Sequence, residues 1–135
     1  MVVTLSLPQS FIDEMIAHAQ EDAPNECCGI IAGDDGRAVK LFRAKNAQAS
    51  PWRYSVEPKD LFRIFRETEE NGWSFLAIYH SHTASEAYPS PTDVRLAFWP
   101  EAYYVLVSVQ DADKPVVRAF RILDGVVSEE EIETT

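Results

Sequence analysis

The stretch Trp73-Ser74-Phe75-Leu76-Ala77-Ile78-Tyr79-His80-Ser81-His82 decides how the chain is read. From Trp73 to Tyr79 it is largely apolar with no clean alternation, as expected of a central strand covered on both faces. Upstream, Pro58 is a good first-turn residue for a helix whose predicted buried face is Leu61, Ile64, Phe65 and Thr68, and Asn71-Gly72 ends it. Downstream, a polar loop from Ser81 to Ser90 leads to a third helix over 91–99, closed by Pro100, and then to an apolar strand over 102–109. Val116 to Leu123 and Val126-Val127 flank Asp124-Gly125, a hairpin dipeptide. Towards the N-terminus, Val2 to Leu7 alternates like a strand. A helix over 8–20 follows, with Phe11, Ile12, Met15, Ile16 and Ala19 on one face. His18 lies off that stripe and reads as a surface histidine. A short strand over 29–33, the turn Asp34-Asp35-Gly36 and a returning strand over 38–44 make a hairpin, followed by a loop through 46–54. Strands alternating with helices give an α/β fold, a mixed sheet sandwiched by helices.

A chain of 135 residues fits one domain, with enough core to stand without disulfides. It is expected to span 1–128, with 129–135 as an acidic tail: Glu129-Glu130-Glu131 and Glu133 read as a solvated or disordered end. The net charge of −10, from 22 acidic against 12 basic residues, would repel phosphate backbones, and there is no Lys/Arg run. Nucleic acid is therefore not an expected partner. No apolar run is long enough to cross a bilayer, so no membrane is expected, and the N-terminus carries no basic segment with a cleavage site. The two cysteines, Cys27 and Cys28, are adjacent and so badly placed to pair. They read as small apolar core residues, and a reducing cytoplasm fits.

The chemistry is concentrated in His80-Ser81-His82, then seven residues, then Ser90-Pro91-Thr92-Asp93. Residues i and i+2 of a strand point the same way, so His80 and His82 can present two imidazoles to one metal ion. Asp93, in the first turn of the third helix, can close the site from a second element. Two nitrogens, one carboxylate oxygen and an open fourth position are what a catalytic zinc takes, and the lack of cysteine thiolates argues against a closed structural site. A plainer account exists for part of the pattern: Ser90 as helix cap, Pro91 at the first position and Asp93 completing a capping box. The two can hold together. His-x-His alone is weak, but the joint four-position pattern should arise by chance in roughly one such chain in several thousand. A carboxylate base is also needed to take a proton from a metal-activated water, and Glu26, just before the short strand, is the candidate.

Glu26, His80-Ser81-His82, Ser90 and Asp93 together resemble the JAMM motif of the MPN-type zinc metalloproteases, and Glu26-Cys27-Cys28-Gly29 resembles that family's usual setting for its glutamate. The similarity covers nearly the whole chain. It implies a single compact MPN (JAMM) domain, one Zn2+ per chain held by His80, His82 and Asp93, Glu26 as general base and then acid, and Ser90 as hydrogen-bond donor to the oxyanion. The segment from Ile78 through His80-Ser81-His82-Thr83 to Tyr88-Pro89-Ser90, with Tyr104 to Ser108 and Arg121 to Gly125, resembles a bacterial branch of the family. That branch hydrolyses the amide bond between the C-terminal glycine of a ubiquitin-like sulfur-carrier protein and cysteine. This implies release of cysteine and, as partner, a carrier ending in Gly-Gly. Alternatives within the family are trimming of a carrier precursor, cleavage of isopeptide bonds to another ubiquitin-like protein, and a non-catalytic scaffold. The chain lacks room for the insertions that polyubiquitin-cleaving members use to hold a second ubiquitin.

Overall fold

A computed structural model describes residues 4–135. Its elements in chain order are β1 (Thr4–Leu7), α1 (Gln9–Asp22), β2 (Cys28–Asp34), β3 (Arg37–Ala44), α2 (Pro58–Glu70), β4 (Ser74–His82), α3 (Pro91–Arg95), β5 (Tyr103–Ser108), β6 (Val116–Leu123) and β7 (Val126–Thr134). They form the expected α/β architecture, a seven-stranded mixed sheet in the order β1-β7-β6-β5-β4-β2-β3. The β4–β5 and β1–β7 pairs are parallel and the others antiparallel. Residues Val2 and Val3 of the expected first strand lie outside the described residues.

The apolar run around Ala77 is the middle of the sheet, between β2 and β5. Alternation along β4 and β2 divides the core in two. Ala77, Tyr79, Cys27 and Ile31 pack with Met15 and Ala19 of α1 on one face. Ile78, Cys28, Ile30 and Tyr104 pack with Ile64 of α2 on the other. Both cysteines are fully buried, and burial pushes each thiol up to about 12, which makes them inert core residues. Gly29 is required by packing: a Cβ there would lie 2.2 Å from the Tyr79 ring. The two hairpin turns use left-handed Asp-Gly pairs, Asp35-Gly36 and Asp124-Gly125, as the sequence predicts.

Four expectations are corrected. His18 is not a surface residue; it is 4% exposed, with Nδ1 hydrogen-bonded at 2.8 Å to the Tyr79 hydroxyl and Nε2 3.3 Å from Asp22. Its ring is an apolar body with a polar edge, and Tyr79 reaches through the sheet face to satisfy that edge. Phe65 is half-exposed instead of buried, because the contact stripe of α2 runs through Ile64 and Thr68. The third helix is shorter than 91–99 and ends at Arg95. Pro100 disfavours helical backbone at Trp99, whose N–H donates to the Tyr104 hydroxyl at 2.9 Å and not to a helical carbonyl. The acidic end is not a loose tail: 129–134 continue β7, bonded to β6 and, in parallel, to β1. Backbone pairing on both edges holds the strand, while alternate glutamates face solvent and Glu129 pairs with Arg118 at 2.7 Å.

Candidate metal centre

His80 and His82 lie at the C-terminal end of β4, two residues apart and hence on one face, the face that carries α2 and α3. Both rings are buried, at 1% and 4% exposure. Asp93 enters from α3. Ser90 caps that helix: its Oγ accepts the Asp93 N–H at 3.0 Å, while Asp93 Oδ2 accepts the Ser90 N–H at 2.9 Å. The capping box therefore aims the same carboxylate oxygen that completes the histidine pair. Its Ser90 hydroxyl acts only as an acceptor in the cap, so its own proton is free to be donated elsewhere.

His80 Nε2 and His82 Nε2 are 3.3 Å apart, and each is 3.1 Å from Asp93 Oδ2. In a tetrahedral site with metal–ligand bonds of about 2.0–2.1 Å, neighbouring donors sit about 3.3 Å apart. The three atoms thus already span one face of such a tetrahedron, and the residues can hold a metal ion. The electrostatics agree. His82 Nδ1 lies 2.8 Å from the Glu86 carbonyl, to which it donates, so in the neutral ring Nε2 presents a lone pair. A carboxylate oxygen and two imidazole lone pairs converge stably only around positive charge, either a proton or a metal ion. Burial opposes charge on Asp93, but its hydrogen bonds to His80 and His82 outweigh burial and hold the carboxyl well below the usual carboxylate range. Burial likewise opposes a charge on both histidines. It holds His80 low, whereas the Asp93 and Glu86 hydrogen bonds bring His82 above its ordinary value.

Glu26 comes from a distant part of the chain and reaches the site through the antiparallel β2–β4 register. Cys28 pairs with His80, so two residues outward Glu26 stands across from His82 and on the same face. Ser81 secures this extension: its N–H donates to the Cys27 carbonyl at 3.1 Å, and its Oγ accepts the Cys27 N–H at 2.8 Å. Glu26 is 5% exposed, and its Oε1 is buried without a hydrogen-bond partner among the described residues. Burial, with Asp93 adding to it and His82 opposing it, raises its pKa to about 7. The structure therefore brings together all five residues singled out in the sequence: Glu26, His80, His82, Ser90 and Asp93.

Two supporting residues were not recognised from the sequence. Tyr54 stacks on the His80 ring, with centroids 4.3 Å apart and planes 20° from parallel. It fixes the plane of a ring whose Nδ1 has no hydrogen-bond partner among the described residues. Asn46 is the hub of the 46–54 loop. Its Nδ2 donates to the Glu26 carbonyl at 3.0 Å and the Arg53 carbonyl at 3.1 Å, and its Oδ1 accepts from the Gln48 and Ser55 amides. One side chain thus ties Glu26 to the segment that carries Tyr54. Loops have no periodicity from which this could be read; the only available signal was an Asn within a Gln/Ser/Pro-rich stretch. From the centre an apolar groove of about 230 Å³ runs away along Asp93, Tyr54, Val56, Leu96 and Phe98.

The model of the prokaryotic homologs of the JAB domain matches residues 8–123. The chain is 41% identical to the CysO-cysteine peptidase of Mycobacterium tuberculosis (strain ATCC 25618 / H37Rv), over 97% of this chain and 91% of that protein. It is 36% identical to the desampylase of Haloferax volcanii, over 77% of this chain and 80% of that protein. The solution structure of protein DSY2949 from Desulfitobacterium hafniense superposes with a TM-score of 0.86 at 34% identity, covering 98% of this chain and 93% of the other. With nearly the full length matched in sequence and in fold, the chain belongs to the family of prokaryotic homologs of the JAB domain.

Proposed function

We propose that this protein is a zinc-dependent peptidase that hydrolyses the amide bond between the C-terminal glycine of a ubiquitin-like sulfur-carrier protein and cysteine, releasing cysteine and regenerating the carrier. The single observation that carries the chemistry is the placement of Glu26. A buried carboxyl, with one oxygen unpartnered among the described residues and a pKa near 7 before metal binds, stands across the strand register from a three-donor metal centre. The substrate is supported by the 41% identity to a CysO-cysteine peptidase over almost the whole chain.

His80, His82 and Asp93 would hold the zinc. When bound, Zn2+ supplies Lewis acidity at the scissile carbonyl and a water acidic enough to ionise near neutral pH. Glu26 Oε1 takes the water proton as the hydroxide attacks the glycine carbonyl carbon, then hands it to the departing cysteine nitrogen as the C–N bond breaks. The same carboxyl accepts the proton in the first step and returns it in the second, so it is regenerated with each turnover. The Ser90 hydroxyl, whose lone pair is occupied by the helix cap, donates its proton to the oxyanion. Tyr54 and Asn46 keep His80 and Glu26 in register through these steps. The groove beyond Asp93 is apolar and suits an extended, glycine-ended tail whose small residues would let the carbonyl approach the metal.

The 36% identity to a desampylase favours a second reading, cleavage of conjugates of another ubiquitin-like protein by the same chemistry. Intact mass spectrometry separates the two. A carrier–cysteine adduct, a C-terminally extended carrier precursor and a lysine-linked carrier conjugate are each incubated with the enzyme. Loss of one cysteine from the adduct, at a rate well above cleavage of the other two, supports the proposal. Cleavage of the lysine-linked conjugate with the adduct untouched overturns it.

A further inference from the structure

A second cavity, of about 460 Å³, lies at the start of β4, beyond the far end of the strand from the metal centre. Ser74 and Phe75 line it, whereas His80 and His82 end the strand, so the two sites are about 20 Å apart along β4. The volume is that of a small-molecule site. The walls are aromatic: Phe75 meets Phe65 edge-on at 6.1 Å and Trp99 at 5.1 Å, and Trp73 adds a third side.

Polar groups in this apolar cavity are few and separated. The Arg121 guanidinium carbon lies 3.9 Å from the centre of the Tyr103 ring, and its Nη1 donates to the Glu101 carbonyl at 2.6 Å. Arg121 has no ion-pair partner among the described residues, although Glu69 and Glu101 line the same cavity. A preset guanidinium fork with spare donors is a carboxylate receptor. Carboxylates that share its cavity without touching it are receptors for a cationic group.

The geometry points to a second site that binds a free α-amino acid with a large apolar side chain. Its carboxylate faces Arg121, its ammonium faces Glu69 and Glu101, and its side chain lies against Phe75 and Trp99. Separate positive and negative receptors in one aromatic cavity match a zwitterion better than an anion or a cation alone. Trp99 also lines the groove that ends at Asp93, so the occupant would touch a side chain shared with the metal centre's approach.

Intrinsic fluorescence reads the site directly, because two of the three tryptophans, Trp73 and Trp99, line it. The probe is L-phenylalanine, which does not emit in the tryptophan range, with 3-phenylpropionate and phenethylamine as controls that each lack one charge. A saturable change with phenylalanine is expected, with each control about tenfold weaker or more, as loss of a charged hydrogen bond requires. Arg121→Gln should weaken binding about tenfold. His82→Ala should bind as wild type does. Absence of a saturable change up to about 10 mM overturns the proposal. So does equal binding of the controls, or binding indifferent to Arg121→Gln in a variant whose circular dichroism is unchanged.

Discussion

Replacing Glu26 by Gln should make the metal-free protein more stable, and only at neutral to alkaline pH. In the folded chain burial raises this carboxyl from its ordinary 4.5 to about 7, with Asp93 adding to the rise. A raised carboxyl binds more protons folded than unfolded between those two values. Stability is therefore full below about pH 4.5 and is lost as pH rises through about 7. At about 1.4 kcal/mol per pH unit, the ionised Glu26 costs the fold about 3 kcal/mol above pH 7. Glutamine has nearly the same shape and no charge to bury. Its variant should gain little at pH 4.5 and about 3 kcal/mol at pH 8.5, which with a urea m-value of about 1–3 kcal/mol per molar moves the midpoint by 1 M or more. Chemical denaturation of both proteins after chelation, at the two pH values, measures this. Equal midpoint shifts at both, or a loss at pH 8.5, would refute the claim that Glu26 is buried uncompensated. The same substitution removes the proton carrier, so the variant gains stability while losing turnover, the trade-off expected of a residue retained for chemistry.

Further outcomes follow from the same geometry. His82→Ala should lose stoichiometric metal, as measured by mass spectrometry of bound elements, while keeping its circular dichroism spectrum, because the two apolar clusters do not depend on the metal centre. Retention of one metal per chain would contradict its role as a ligand. Tyr54→Leu keeps apolar bulk but removes the stack on His80, and should weaken metal affinity about tenfold in a chelator competition, with little change in the thermal midpoint after chelation. Gly29→Ala forces the Tyr79 ring off its seat and breaks the hydroxyl contact to His18. It should cost about 3 kcal/mol in urea denaturation, and a loss under about 0.5 kcal/mol would show that the ring can move freely.

What the sequence discloses and what it hides differ in kind. The cluster of His80, His82 and Asp93 was legible because strand periodicity and helix capping are local rules: His80 and His82 share a face at spacing two, and Ser90 with Asp93 is a capping box wherever it falls. The central position of β4 was legible for the same reason, since burial on both faces leaves no alternation. Glu26 could be named, but only the register Cys28↔His80 places it beside the pair. His18 was misread because a helical stripe counts only apolar side chains, and its partner, Tyr79, lies 61 residues away. The glutamates of 129–134 were misread because charge composition describes side chains, while what orders β7 is backbone pairing with β1 and β6. Tyr54 and Asn46 act from a loop, where no period exists.

The central claim is that a metal held by His80, His82 and Asp93, with Glu26 beside it, hydrolyses a carrier–cysteine amide. The most direct test follows a purified carrier–cysteine adduct by intact mass with wild-type enzyme, with enzyme treated with chelator, with that enzyme after Zn2+ is restored, and with Glu26→Gln. The account predicts loss of one cysteine with the wild type, none after chelation, recovery with Zn2+, and none with Glu26→Gln. Full cleavage by the chelated enzyme or by the Glu26→Gln variant would contradict it.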